Sequence, residues 1–174
     1  MSSLEIYKQR EIISYDRGVF TTKEEPVVQE TPLTIFLNQI ELATMVCSPG
    51  AYQELGVGFL LTEGLVQVPS DIISMSLREE EGLLQIETSR PIPQTGTFLR
   101  RHIASCCGKS RAGLYFINDA RQLKPIESDS RFSAGHLLQI INGLEDRSGT
   151  FRLTGGVHSA ALADQDRILC IFED

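Results

Sequence analysis

The stretch TIFLNQIELATMVCSPGAYQELGVGFLLTEG, residues 34–64, reads as strand, turn, strand and helix in direct succession. Thr34-Ile35-Phe36-Leu37 is β-branched and aromatic, and it runs into Asn38, a turn residue. Ile40 to Cys47 is then the returning strand. Ser48-Pro49-Gly50 predicts a helix start, because serine caps a first turn and proline suits the first helical position. Leu55, Phe59 and Leu60 recur at helical spacing up to Glu63, and Gly64 is the stop. Gly56 and Gly58 each cost about 1 kcal/mol relative to alanine inside a helix, so they predict close packing against a neighbouring element.

Outward from that stretch, residues 1–31 are polar and mixed, and they predict a short strand or two with a connecting arm, at a sheet edge. Ile72–Leu77 and Leu83–Glu87 predict a hairpin around the solvated turn Glu79-Glu80-Glu81-Gly82. Pro91-Ile92-Pro93 breaks regular structure, and Leu114–Ile117 reads as a strand turning at Asn118-Asp119. Ser133 is placed to cap a helix carrying Leu137, Leu138, Ile141 and Leu144. Phe151-Arg152-Leu153 reads as a strand leading into Thr154-Gly155-Gly156-Val157-His158. Ala160–Ala163 and Ile168–Phe172 read as strands joined by a tight turn at Gln165-Asp166.

The 174 residues fit one domain with a sizeable core, and 41% hydrophobic with 22% charged residues is ordinary for a globular protein. Ile168–Phe172 is the most hydrophobic strand candidate, which predicts a central place in a sheet and a covering helix after it. Residues 1–174 are therefore expected to be the N-terminal fragment of a longer protein. No apolar run reaches the length of a membrane span, and the first residues lack a signal peptide's apolar core, so a cytoplasmic protein is expected. A formal charge of −7 argues against general nucleic-acid binding.

One segment opposes that charge. From Thr88 to Asn118 there is no Asp or Glu, while Arg90, Arg100, Arg101, Lys109 and Arg111 lie within it beside His102. At its centre are Cys106 and Cys107, followed by Gly108. Only a thiolate is nucleophilic, and neighbouring cations lower a thiol's pKa from about 8.5. The segment therefore reads either as a sulfur-handling nucleophile or as a loop with two partly buried, inert cysteines. A metal site is the weaker alternative: adjacent cysteines rarely both reach one ion, and no second Cys-x-x-Cys pair exists. The zinc deaminase signature is also absent. The two glycines of Thr154–His158 suggest backbone N–H groups facing an anion, with His158 and Ser159 adding donors; the alternative is a plain turn.

Several segments together resemble the formate dehydrogenase accessory sulfurtransferase family, FdhD/NarQ. They are Glu30-Thr31-Pro32-Leu33 with Leu37-Asn38, Glu54 to Gly64, Ser105-Cys106-Cys107-Gly108-Lys109, Thr154 to Leu162, and Glu173-Asp174. The resemblance implies an α/β/α sandwich with a mixed sheet, like the cytidine deaminase fold but without its zinc chemistry. It also implies a sulfurtransferase that takes persulfide sulfur from a cysteine desulfurase. The sulfur passes to the bis-molybdopterin guanine dinucleotide cofactor, required by formate dehydrogenase. Cys106 and Cys107 would match the family's loop cysteines, with Lys109 and Arg111 beside them favouring the thiolate and the cofactor's phosphates. Thr154, Gly155, Gly156 and His158 would line the cofactor site, and a homodimer is implied. Two departures stand out: the family often spaces its cysteines as Cys-Gly-x-Cys-Gly, and it continues beyond Glu-Asp. A non-catalytic cofactor- or partner-binding module with incidental cysteines is the alternative.

Overall fold

The computed structural model describes residues 5–90, 125–164 and 167–174, together with the backbone of 101–103. The chain divides into two compact units. One comprises Thr31–Cys47 and Ala51–Glu127, and the other Met1–Glu30, Ser48–Gly50 and Ser128–Asp174.

The first unit is built on the quoted stretch. Strands β3 (Thr31–Leu37) and β4 (Ile40–Cys47) form an antiparallel hairpin. Its turn residues Asn38 and Gln39 both have positive φ, 47° and 67°, which suits the right-handed twist of the strands it joins. Strands β5 (Ile72–Arg78) and β6 (Leu83–Thr88) form the second predicted hairpin. Gly82 closes its acidic turn at φ 62°, where a Cβ would sit 2.3 Å from the Pro32 carbonyl oxygen. A short strand β7 (Arg101–Ile103) completes the order β5-β6-β3-β4-β7. The sheet is mixed, with β3 parallel to β6 and β4 parallel to β7.

Alternation puts Leu33, Ile35 and Leu37 of β3 on one buried face with Leu84 and Ile86 of β6. A register shift at Ile35/Phe36 lets two consecutive β4 residues, Leu42 and Ala43, both be buried. Helix α1 (Tyr52–Thr62) covers this face with Tyr52, Gly56 and Leu60. It starts later than the Ser-Pro-Gly signal predicts: Ala51, in the left-handed region, is its N-cap, with no side-chain cap bond. The end agrees with the sequence. Gly64 N–H donates to Leu61 O and Leu65 N–H to Leu60 O, the paired bonds of a Schellman termination.

In the second unit, residues 1–31 are more regular than an arm. Strands β1 (Tyr7–Asp16) and β2 (Val19–Val28) pair along their whole length around Arg17-Gly18. Helix α2 (Ala134–Arg147) begins as predicted, with the Ser133 hydroxyl accepting from His136 N–H at 3.1 Å. A second, short helix α3 (Gly149–Thr154) occupies the place where a strand is predicted. Three residues, Phe151-Arg152-Leu153, are too few to distinguish the two periods. Strands β8 (Ser159–Ala163) and β9 (Ile168–Glu173) pair antiparallel as predicted. Among the described residues β9 pairs with β8 alone, and Leu169 and Phe172 are half exposed, so the predicted central position is not what it takes. No described helix is long and apolar enough to cross a membrane.

The two helical glycines of α1 separate cleanly. A Cβ on Gly56 would lie 2.3 Å from Leu84 Cδ2 and 3.4 Å from Ile86 Cδ1, both fully buried side chains, whereas Gly58 faces open space. Overpacking a core costs about 1–3 kcal/mol, and replacing an exposed helical glycine gains up to about 1 kcal/mol. Denaturant unfolding should therefore show Gly56→Ala less stable than the parent chain and Gly58→Ala equal or more stable.

Candidate functional site

Cys106, Cys107, Lys109 and Arg111 lie outside the described residues, as does the strand predicted at Leu114–Ile117. What is described is the chain's approach to them. β7 runs parallel to β4, with Arg101 opposite Ala43 and Ile103 opposite Met45, and it ends three residues before Cys106 in the sequence. At the other end of the acid-free stretch, Arg90 is paired. Its Nη1 lies 3.4 Å from Asp71 Oδ2. That carboxylate also accepts from Gln67 N–H at 2.7 Å and Val68 N–H at 3.2 Å. The Gln67 bond leads, ahead of the opposing effect of burial, and with Val68 and Arg90 it holds the Asp71 carboxyl below its ordinary value. Arg90 is therefore engaged with Asp71, the residue that enters β5.

Thr154–His158 is described throughout. Gly155, at φ 63°, ends α3, and a Cβ there would meet nothing within 4 Å. A Cβ on Gly156 would lie 2.9 Å from Val28 Cγ1, so this residue packs directly on β2. The backbone donors of Gly155, Gly156 and His158 do not face outward. Gly155 N–H donates to Phe151 O at 2.7 Å and Gly156 N–H to Thr154 Oγ1 at 3.1 Å. His158 N–H donates to Asp174 O at 2.7 Å, and Asp174 N–H returns a bond to His158 O at 2.9 Å. Val157 is buried, while His158 is exposed. The glycines thus follow a helix, and their N–H groups have internal acceptors. What the segment offers a ligand is its accessible surface and the His158 side chain.

The residue that organises this region was not among the sequence candidates. Glu173 Oε2 accepts from Thr150 N–H at 3.0 Å, and Oε1 from Phe151 N–H at 2.8 Å; the Ser159 hydroxyl lies 3.4 Å from Oε1. A carboxylate at a helix start satisfies orphan N–H groups and complements the dipole. Burial pushes the Glu173 carboxyl up, but the bonds from Phe151, Thr150 and Ser159 outweigh it and hold the group below its ordinary 4.5. Next to it, Asp174 Oδ1 accepts from the backbone N–H of Ser48. Its signals in the sequence were an acidic pair closing an apolar strand and the place of that pair among the segments carrying the family resemblance.

The architecture is that of a mixed α/β protein, and it has a solved counterpart. A Desulfotalea psychrophila protein described as a formate dehydrogenase accessory protein superposes with a TM-score of 0.72 at 18% identity, over 97% of this chain and 62% of that one. Residues 28–174 match the FdhD/NarQ family. The sulfur carrier protein FdhD of Shouchella clausii is 36% identical over 172 residues, 97% of this chain and 64% of the relative. That of Geobacillus kaustophilus is 39% identical over 168 residues, 96% of this chain and 64% of the relative. The chain belongs to the FdhD/NarQ family, and it spans just under two thirds of the length of these curated relatives. A mixed sheet is present as expected; a cytidine deaminase-like sandwich is not established by this likeness.

The lowered Glu173 pKa has a defined consequence. A depressed folded value means its contribution to stability is full above pH 4.5 and is lost as pH falls through the folded value. Glu173→Gln should be less stable than the parent at neutral pH, and the difference should shrink as pH falls below 4.5. Urea midpoints of both chains across that range measure it.

Proposed function

We propose that the chain is a sulfur carrier that receives persulfide sulfur at Cys106 or Cys107 from a cysteine desulfurase. It delivers that sulfur to the bis-molybdopterin guanine dinucleotide cofactor of formate dehydrogenase, its client, working in the cytoplasm as a homodimer. The observation that carries the reading is similarity to sulfur carriers along almost the whole chain, which itself holds two adjacent thiols in an acid-free segment.

In the loading step a loop thiolate attacks the terminal sulfur of the donor's persulfide. A sulfur–sulfur bond forms, the donor's breaks, and the donor cysteine leaves as thiolate, so no external oxidant or reductant enters. Delivery breaks the new bond with the loop cysteine as leaving group. The two electrons that turn sulfane sulfur into a sulfide ligand come from the reduced molybdenum of the client cofactor. Arg100, Arg101, Lys109 and Arg111 raise the thiolate fraction and favour the cofactor's phosphates. A moderately lowered pKa serves best, because nucleophilicity falls with thiol pKa. Thr154, Gly155, Gly156 and His158 contribute a contact surface for the client cofactor.

Incubation with a cysteine desulfurase and cysteine should add about 32 Da, one sulfur atom as persulfide, to the intact chain. A Cys106→Ala/Cys107→Ala chain should show no adduct, and the two single variants identify the carrier sulfur. An undiminished adduct on the double variant removes the cysteine site. Full rescue of formate dehydrogenase by a chain with both cysteines changed to serine favours the non-catalytic binding module instead.

A further inference from the structure

We propose that Glu173 is the positioning residue of the Thr154–His158 segment, holding it in the shape in which it meets the client cofactor. This rests on the reading of that segment as a cofactor contact. One carboxylate bonds both flanks of the segment: Thr150 and Phe151 before it, Ser159 after it. The interval from Arg152 to His158 is thereby closed at its base. The backbone pair of His158 and Asp174, 2.7 and 2.9 Å, fixes the last residue of the interval from the adjoining position of β9. Inside the interval Gly155 N–H donates to Phe151 O, Gly156 N–H to Thr154 Oγ1, and Gly156 packs on Val28, so local contacts hold the middle. The Glu173 bonds add the restraint on its two flanks.

The chemistry also explains how a carboxylate sits near a surface meant for a phosphate-bearing ligand. A free carboxylate there would repel it. The Glu173 charge is instead directed into two main-chain N–H groups at a helix start and a nearby hydroxyl, and its lowered pKa reflects those bonds. Glutamine cannot replace it. Its amide has one acceptor oxygen, so its NH2 group would face one of the donors.

The test uses the whole chain and guanosine diphosphate, which carries the nucleotide and pyrophosphate portion of the client cofactor. Glu173→Gln should weaken guanosine diphosphate binding about tenfold, the scale of one lost charge-assisted bond. It should leave the extent of persulfide loading at the parent level. Ser159→Ala, which keeps the helix-start bonds and releases only the downstream flank, should weaken binding less with an unchanged urea midpoint. Amide exchange at Gly155, Gly156 and His158 should quicken about tenfold in Glu173→Gln, while exchange in β3 and β4 stays as it was. Unchanged affinity in both variants overturns the proposal, and so does a parallel fall of affinity, loading and β3–β4 protection, which marks a general fold defect. If the parent chain fails to bind the nucleotide, the cofactor reading of the segment fails; the exchange measurement then decides the positioning role, with unchanged rates overturning it.

Discussion

The carboxylate of Glu173 at the first turn of α3 is the interaction on which the second unit is arranged. A six-residue helix cannot stand on its own hydrogen bonds, because nucleation fixes several residues for each bond gained. It forms here because its first N–H groups find an anion carried by β9 and its last turn ends on a glycine free to take positive φ. The same strand end also binds Ser48 through Asp174 and His158 through the main chain. Two adjacent acidic residues thus tie together β8, α3 and the Ser48–Gly50 link. Their neighbours in β9 are apolar, so the acidic pair marks the place where the strand stops packing and starts to fasten.

The first unit depends on a different constraint, the close seating of α1 on β6. The absence of a side chain at Gly56 brings the helix down onto Leu84 and Ile86, while Tyr52 and Leu60 flank the contact one turn either side. This is why the helix survives two residues of poor propensity: the packing gained at Gly56 offsets its intrinsic cost. Gly58 has no such compensation on its own side. The two glycines look alike in the sequence, and only the direction in which each faces separates them.

Much of the architecture was legible because its signals are local. Asn38 announces a turn, and its left-handed backbone makes one; Ser133 announces a cap, and its hydroxyl accepts from His136. The α1 start misled for the same reason. Ser48 and Pro49 have the right chemistry for a helix entry, but Ser48 is buried and its N–H is drawn to Asp174, more than a hundred residues away. A long-range bond of that kind leaves no local trace. The role of Glu173 is hidden for the converse reason: Thr150, Phe151 and Ser159 become its partners only once β8 and β9 have paired.

The candidate site shows what residue types alone leave open. Two glycines and a histidine suggested a cradle of backbone donors, and the spacing fits one. The Gly155, Gly156 and His158 donors are nevertheless consumed internally, by Phe151, Thr154 and Asp174, so these three do not form it. Charge counting around the cysteines needs a similar correction. Arg90 belongs to the acid-free stretch in sequence, yet in space it pairs with Asp71, whose carboxylate also closes the turn at Gln67 and Val68. A guanidinium already facing a carboxylate at 3.4 Å acts outward as part of a dipole rather than as a lone charge. For the proposed thiol activation the cations of interest are Arg100, Arg101, Lys109 and Arg111, all nearer the cysteines in sequence than Arg90 is.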